Sequence, residues 1–317
     1  MSLDSILISK AIMQLKQETD PIKDYLFPIL MSFFSALLGG VAAYYFNLRQ
    51  EQRKNEKDNF NAASKILTNV LLALNNLVAI KSNYCGMEIK DPLLRAISIP
   101  TLIMNDIRLE VDLSSLTFIK NVPTANKGVF AILSDWLRYR VLRLKRNSLS
   151  SEEMSKSWRN LNRLGACVNN YNYVLELLRI RSALDSEIRT LLVAKENEVT
   201  NGQFTHDVVF SFEMIFNTIG RERLVKYIDL TETIISIIDG VLKEFDSFIF
   251  EFPIVAESNI ELSKVGRGVR MVRIDKTRPL YVKCIAPITP PDFEQVAQLT
   301  GMPVEQAKSK YTYSDWY

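Results

Sequence analysis

One long charge-free stretch near the N-terminus dominates the hydropathy pattern of the chain. Between Tyr25 and Leu48 no charged side chain occurs. A helix over this stretch, at about 1.5 Å per residue, is long enough to cross a hydrocarbon core of about 30 Å. Aromatic residues lie at both ends, where lipid meets water. A buried core helix is the alternative, but such helices rarely stay charge-free over this length. We therefore predict one uncleaved transmembrane helix over residues 25–48.

Small residues recur four positions apart along two adjacent faces of this predicted helix. The first row is Ser32, Ala36 and Gly40, and the second row is Ser35, Gly39 and Ala43. In lipid, rows of this kind let helix backbones approach closely and associate by packing. The pattern predicts that the spans of several chains associate, so we expect a homo-oligomer in contact with membrane lipid.

Helical periodicity continues beyond the charge-free stretch. Residues 47–82 contain no proline or glycine and carry two apolar stripes, which predicts one long helix buried on two sides. A second helix is predicted over residues 150–199, with a 3.5-residue apolar spacing typical of coiled coils, and a third over about 205–218. The last long helix, over about 221–252, contains acidic residues that argue against a second membrane span. The fold class is therefore mainly α, with a long-helix bundle over residues 49–252.

The pattern changes after Pro253. Apolar residues alternate with other side chains over 269–274 and over 280–285, which predicts a small β-hairpin around Asp275 to Pro279. Two short helices of helix-turn-helix size are predicted after Pro291, as a packing or docking element. The predicted parts of the chain are a short extracytoplasmic amphipathic segment (1–24), the membrane helix (25–48), a helical cytoplasmic domain (49–252) and a basic β-hairpin with short helices (253–317).

Two clusters of arginine are candidate sites for an anion or a partner. One cluster is Arg267, Arg270, Arg273 and Arg278, and the other is Arg138, Arg140, Arg143 and Arg146. Guanidinium groups bind phosphate well, so a nucleotide signal, a nucleic acid or a lipid headgroup would suit the first cluster, and phosphate or an anionic lipid headgroup would suit the second. Two simpler explanations stay open, namely a basic edge strand that resists edge pairing and cations placed in the last turns of a helix. The aromatic C-terminal end is a candidate docking site for a protein partner.

Composition narrows the classes of protein that fit. The 317 residues are 47% hydrophobic and carry a net charge of +3, which excludes a disordered chain. Three scattered cysteines are too few for a disulfide framework or a zinc site and suit a reducing compartment. More basic residues follow the charge-free stretch than precede it, so we expect the N-terminus outside and the body in the cytoplasm.

No catalytic signature accompanies these patterns. His206 is the single histidine of the chain, and a capping or surface role is the simplest interpretation of it. The sequence has no nucleophile elbow, no phosphate-binding glycine loop and no paired metal-ligand motif. We therefore expect a protein that is not an enzyme and that needs no cofactor or metal, although an enzyme of unrecognised type stays open.

The chain resembles single-pass membrane proteins that are encoded in bacterial anti-phage defence loci. The resemblance covers about residues 20–84 and the general layout, in which a span ending in GGVAAYYFNLRQEQRKNEK leads into a long helical body. It implies a sensor or effector at the bacterial inner membrane. Our leading hypothesis is an oligomer whose body senses a signal or partner and whose spans act on the membrane. The alternative is a passive scaffold that tethers a soluble partner or a nucleic acid through the basic C-terminal region.

Overall fold

The chain folds into helices. The computed structural model describes residues 3–15, 22–101, 108–120, 150–200, 211–274 and 277–312. These residues form eleven α-helices and contain no β-strand, so the prediction of a mainly α fold is confirmed. The chain divides into two compact units, Met1–Lys57 and Asp58–Tyr317.

The first unit contains the apolar stretch. Helix α1 covers Leu3–Leu15, a π-helical turn covers Ile22–Leu26, and helix α2 covers Phe27–Ser82, so that α2 contributes to both units. The large apolar side chains of α2 up to Leu48 are exposed. Among the residues that the structure describes, α2 is the one helix that is long and apolar enough to span a membrane.

The second unit is built on three long helices. Its core lies where the second half of α2 packs with α5 (Leu161–Val199) and α7 (Arg221–Asn259). The predicted long helix over residues 47–82 and its burial on two stripes are confirmed, since the apolar residues of both stripes are buried or partly buried in this core. Shorter elements cover its edges, and these are α3 (Pro92–Ser98), a 3-10 turn (Leu113–Leu116), α4 (Ser151–Lys156) and α6 (Phe212–Ile219).

Capping residues determine where several of these helices begin. Ser150 and Glu153 form a reciprocal capping box at the start of α4, and the Ser211 side chain accepts a hydrogen bond at the start of α6. The single helix predicted over 150–199 is wrong in one respect, because the chain breaks after α4 and restarts with Asn160 as the N-cap of α5. Trp158 lies in this break and is buried against Phe248, which explains why the helix is interrupted there.

Helix α7 extends beyond its predicted end at Phe252. It passes through Pro253 and ends at Asn259. A proline inside a helix removes one backbone hydrogen bond and costs about 3 kcal/mol or more. Phe252, Pro253 and Ala256 are all buried, and their burial offsets that cost, so the boundary drawn at residue 253 falls inside an element.

The predicted β-hairpin is wrong, because the described residues of the tail contain no strand. After α8 (Leu262–Val265), residues 267–274 form no regular structure, and 279–285 form α9 (Pro279–Ile285). Pro279 occupies the first turn of α9, where its fixed φ favours a helix. The backbone N–H of Met271 donates to the Glu257 carboxylate at 2.8 Å instead of to a partner strand.

The two short helices predicted after Pro291 are confirmed. They are α10 (Phe293–Thr300) and α11 (Val304–Tyr311), which share a small apolar cluster of their own. Gly301 ends α10 with a φ of 77°, a left-handed conformation that glycine adopts without strain. We call residues 277–312, with α9, α10 and α11, the C-terminal segment.

Candidate functional site

The residues predicted for span association all lie on the exposed half of α2. A Cβ atom added at Gly39 or Gly40 would meet nothing within 4 Å. The two small-residue rows therefore lie open along α2 in the single chain. Space of this kind is what close helix association requires.

All four arginines of the predicted tail cluster are exposed. Arg273 donates to the Glu257 carboxylate at 2.9 Å. The second cluster, Arg138, Arg140, Arg143 and Arg146, lies outside the described residues, as does His206.

Buried acidic residues of α7 form a more developed polar site. Glu232 pairs with Arg95 of α3, whose Nε lies 2.7 Å from Oε1 and whose Nη2 lies 3.1 Å from Oε2. Both side chains are almost fully buried. Arg95 also donates to the carbonyls of Ile89 and Thr289, each at 2.8 Å. One guanidinium therefore joins α3, α7 and the C-terminal segment.

Asp239, seven residues further along α7, makes an equivalent connection. Its Oδ1 lies 2.7 Å from Nζ of Lys81, which is fully buried at the end of α2. Lys81 also donates to the carbonyl of Ala286 at 2.6 Å, and the N–H of Ile288 donates to Asp239 at 3.4 Å. Because positions seven apart share a helix face, Glu232 and Asp239 present their carboxylates on the same side of α7.

Four further hydrogen bonds hold the C-terminal segment on the body. Asp229 of α7 accepts hydrogen bonds from Lys310 at 2.5 Å and from the Tyr311 hydroxyl at 2.6 Å. The Tyr281 hydroxyl donates to Asp246 at 2.5 Å. The N–H of Asp292, which caps α10, donates to the carbonyl of Lys90 at 2.9 Å. The segment is therefore docked largely through polar contacts, several of them to carboxylates of α7.

A cavity of about 400 Å³ lies where these groups meet. The body lines this cavity with four charged residues, Arg95, Glu232, Asp239 and Lys243. Residues of the C-terminal segment line it as well. The segment contributes a proline-rich stretch, residues 287–291, and Tyr311. A smaller cavity of about 160 Å³, lined by Cys167, Glu244 and Lys310 among others, also reaches Thr312. Both cavities are therefore covered in part by the C-terminal segment.

Burial is the strongest influence on the titrating groups around the larger cavity. It raises the pKa of the Glu232 carboxyl, although Arg95 opposes the rise, and it raises the pKa of the Asp239 carboxyl, although Lys81 opposes the rise. Burial and then the nearby Asp239 charge raise the pKa of the Tyr84 hydroxyl well above its ordinary value. The charges of Glu232 and Asp239 therefore depend on their pairing with Arg95 and Lys81, because burial removes most of the water that would solvate them.

Two other buried polar networks reinforce the body away from this cavity. Arg181 of α5 donates to Thr231, to the Tyr227 hydroxyl and to carbonyls at the end of α3. Burial alone would raise the pKa of Asp185, but hydrogen bonds from Arg189, Thr101 and Tyr227 outweigh burial and lower it.

The second network joins α5 and α7 near the Trp158 break. Arg163 donates to Glu244 at 2.7 Å and stacks over the Trp158 ring at 3.9 Å. Burial raises the pKa of the adjacent Cys167 thiol to about 12. Both networks join helices to one another and use their donors internally, so we assign them a structural role.

The lining of the larger cavity is of mixed polarity. It offers carboxylates, two cations and a proline-rich wall, and an uncharged or zwitterionic molecule or a peptide segment would match such mixed polarity. In the described part of the chain no group of three potential metal ligands comes together.

The charged residues of this site were missed in the sequence, although one signal was available. The last long helix has more apolar positions than one face can hold, so some of its acids had to be buried. No alternation or motif marks which base each of these acids pairs with.

The fold and this site define a class: a mainly helical protein with one candidate membrane-spanning helix and a body whose C-terminal segment is docked on buried charges. Comparison with protein-family models, with curated proteins and with solved structures gave no match to this chain.

Proposed function

We propose that the protein is an oligomeric single-pass protein of the bacterial inner membrane that serves as an anti-phage effector. Its helical body, on the cytoplasmic side, senses a signal or a partner. Its associated spans then act on the membrane. The resemblance to membrane proteins of defence loci supports this assignment at the level of layout.

The observation that carries the proposal is the exposed, charge-free half of α2. Its large apolar side chains are left uncovered by the rest of the chain, and Phe33, Leu38 and Tyr45 are each more than half exposed. Continuous apolar surface on this scale is unfavourable in water, since each Å² left exposed costs about 25 cal/mol. Insertion into lipid, with the small-residue rows packed against a second copy, removes that cost.

The cavity beneath the C-terminal segment is the proposed place where the body receives its signal. A ligand or partner that displaces the segment takes the Ala286 carbonyl away from Lys81 and the Thr289 carbonyl away from Arg95. Asp239 and Glu232 stay paired with these two cations, so displacement leaves no isolated buried charge. Because Lys81 belongs to the same helix as the span, the signal is received on the element that crosses the membrane.

The test is membrane potential and dye entry in bacteria after induced expression of the full chain. We expect depolarisation that is strongly reduced when Gly39 and Gly40 are both replaced by leucine, because the added side chains prevent close approach of the spans. The matched control, Leu38→Phe with Val41→Leu, adds bulk to the face of α2 opposite the small-residue rows. Cells that express it should depolarise as much as cells that express the parent chain. Depolarisation by the glycine variant equal to that of the parent and the control would contradict the proposal.

The second candidate function is a passive membrane scaffold that tethers a soluble partner or a nucleic acid. Exposure of Arg267, Arg270 and Arg278 favours it, since none of them has an ion pair within the described residues. A scaffold leaves the membrane potential intact at high expression. In that case, charge reversal at these three arginines should abolish co-purification of the partner.

A further inference from the structure

Two cysteines that are far apart in the sequence meet at the end of α2. Cys85 lies in the turn that follows α2, and Cys284 lies on α9 in the C-terminal segment. Both are free thiols, and Cys284 is fully buried while Cys85 is partly exposed. Nothing in the spacing of the cysteines along the chain indicated this pairing.

Both thiols contact backbone carbonyls in the last turns of α2. The Cys85 thiol donates to the carbonyl of Ser82 at 3.6 Å, and the Cys284 thiol donates to the carbonyl of Val78 at 3.8 Å. These two carbonyls lie one turn apart on α2. Both thiols therefore lie against the same stretch of α2.

The neighbouring residues are just as close. A Cβ atom added at Gly86 would lie 2.8 Å from Cε of Lys283, so the backbone beside Cys85 lies against the side chain beside Cys284. Gly86 has a φ of 80°, which lets the chain turn here without a side chain between the two cysteines. The third cysteine, Cys167, is buried on α5 beside Glu244 and is not part of this pair.

The two thiols differ in their surroundings. Burial, followed by the contact with Cys85, raises the pKa of the Cys284 thiol to about 11, although Lys81 and Lys283 oppose the rise. Cys284 is therefore a protonated thiol at neutral pH and reacts little by itself. Cys85 is the member of the pair that solvent can reach.

We propose that Cys85 and Cys284 form a reversible disulfide that fastens the C-terminal segment to the end of α2. Hydrogen peroxide is the oxidant class. The Cys85 sulfur attacks one peroxide oxygen, the O–O bond breaks, and a sulfenic acid and one water form. The Cys284 sulfur then attacks the sulfenic sulfur, the S–O bond breaks, and the hydroxyl leaves as water with the thiol proton. Two thiols and one peroxide thus give one disulfide and two waters, and a thiol reductant reverses the change.

The disulfide would hold the C-terminal segment in place over the larger cavity. Cys284 is two residues before Ala286, whose carbonyl binds Lys81, so the new bond would lie next to that contact. An oxidised chain would therefore keep the cavity covered, whereas the reduced chain can release the segment. The chemistry itself is independent of the proposed function, because disulfide formation requires neither a membrane potential nor an oligomer.

The experiment treats the purified full chain in detergent with hydrogen peroxide, then alkylates it and maps its peptides by mass spectrometry. We expect free thiols to fall from three to one, with a mass loss of about 2 Da and a Cys85–Cys284 peptide pair that dithiothreitol removes. Cys167→Ser is the matched control and should form the same pair. The decisive result comes from the parent chain itself. The test therefore does not depend on whether a variant that lacks Cys85 folds.

Three outcomes would overturn the proposal. The first is that Cys85 and Cys284 both stay open to alkylation after peroxide treatment of the folded chain. The second is oxidation of Cys85 to the sulfinic acid while Cys284 stays reduced, which would mean that the second thiol cannot reach the first. The third is a disulfide that appears only between two chains on a non-reducing gel.

Discussion

Lys81 and Arg95 each bind an acid of α7 and a carbonyl of the C-terminal segment at the same time. Removing such charges from water costs several kcal/mol for each ion, and the cost is offset only when every partner is in place. Arg95 meets this condition with four acceptors, two carboxylate oxygens of Glu232 and two carbonyls. At the scale of single residues, stability therefore depends on completeness of pairing more than on the number of ion pairs.

Replacement of Arg95 by alanine should destabilise the body strongly. Glu232 would be left buried without its partner, a change that costs about 3–5 kcal/mol in comparable sites. The measurement is denaturant unfolding of the full chain. Removal of both charges, by Arg95→Met with Glu232→Leu, should recover much of the loss because no buried charge is left unpaired.

A matched control for this prediction is Arg108→Ala. Arg108 pairs with Glu176 at 3.9 Å in an exposed position, and exposed pairs contribute little to stability. Equal losses for Arg95→Ala and Arg108→Ala would show that the Arg95 pair is not buried as described.

At the scale of elements, periodicity predicted the long helices well. Apolar spacing marked α2, α5 and α7, because each of them buries a stripe in a common core. It failed where tertiary contacts override a local pattern. Trp158 interrupts a helix because its ring is buried against Phe248, and α7 continues through Pro253 because that stretch is buried.

The predicted β-hairpin shows the limit of short alternating patterns. Six alternating residues fit a strand and an irregular segment equally well, and only the partner of the backbone N–H groups distinguishes them. Met271 donates to the Glu257 side chain, and Pro279 begins a helix. The cavity site was harder to predict still, since Glu232 and Asp239 pair with bases that lie far away in the sequence.

Gly301 gives the cleanest prediction at this scale. Its left-handed backbone is strained for any residue with a Cβ atom, by roughly 1–2 kcal/mol, while an added Cβ would meet nothing within 4 Å. Gly301→Ala should therefore lower the free energy of unfolding of the α10–α11 pair without a steric clash. Amide hydrogen exchange in α11 reports this change.

Gly301→Asn is the control for the cause of that effect. Asparagine tolerates the left-handed conformation better than alanine does, so it should destabilise the pair less. A loss for asparagine as large as the loss for alanine would contradict a purely conformational cause.

At the scale of the whole molecule, the chain combines an uncovered apolar helix with a body that has its own core. The two units are Met1–Lys57 and Asp58–Tyr317, and α2 contributes residues to both. A soluble protein of ordinary stability would cover the side chains from Phe27 to Phe46, yet they are exposed. Membrane insertion of this stretch is therefore the central claim of our account, on which association of the spans and action on the membrane both depend.

The most direct test of this claim is alkaline carbonate extraction of bacterial membranes that contain the full chain. We predict that the parent chain stays in the membrane pellet. Leu37→Arg with Val41→Arg should move it toward the soluble fraction, because each arginine near the centre of a span costs about 2.5–3.5 kcal/mol on insertion. Leu72→Arg, on an exposed position of the body half of α2, should stay in the pellet. Release of the parent chain by carbonate would contradict the account.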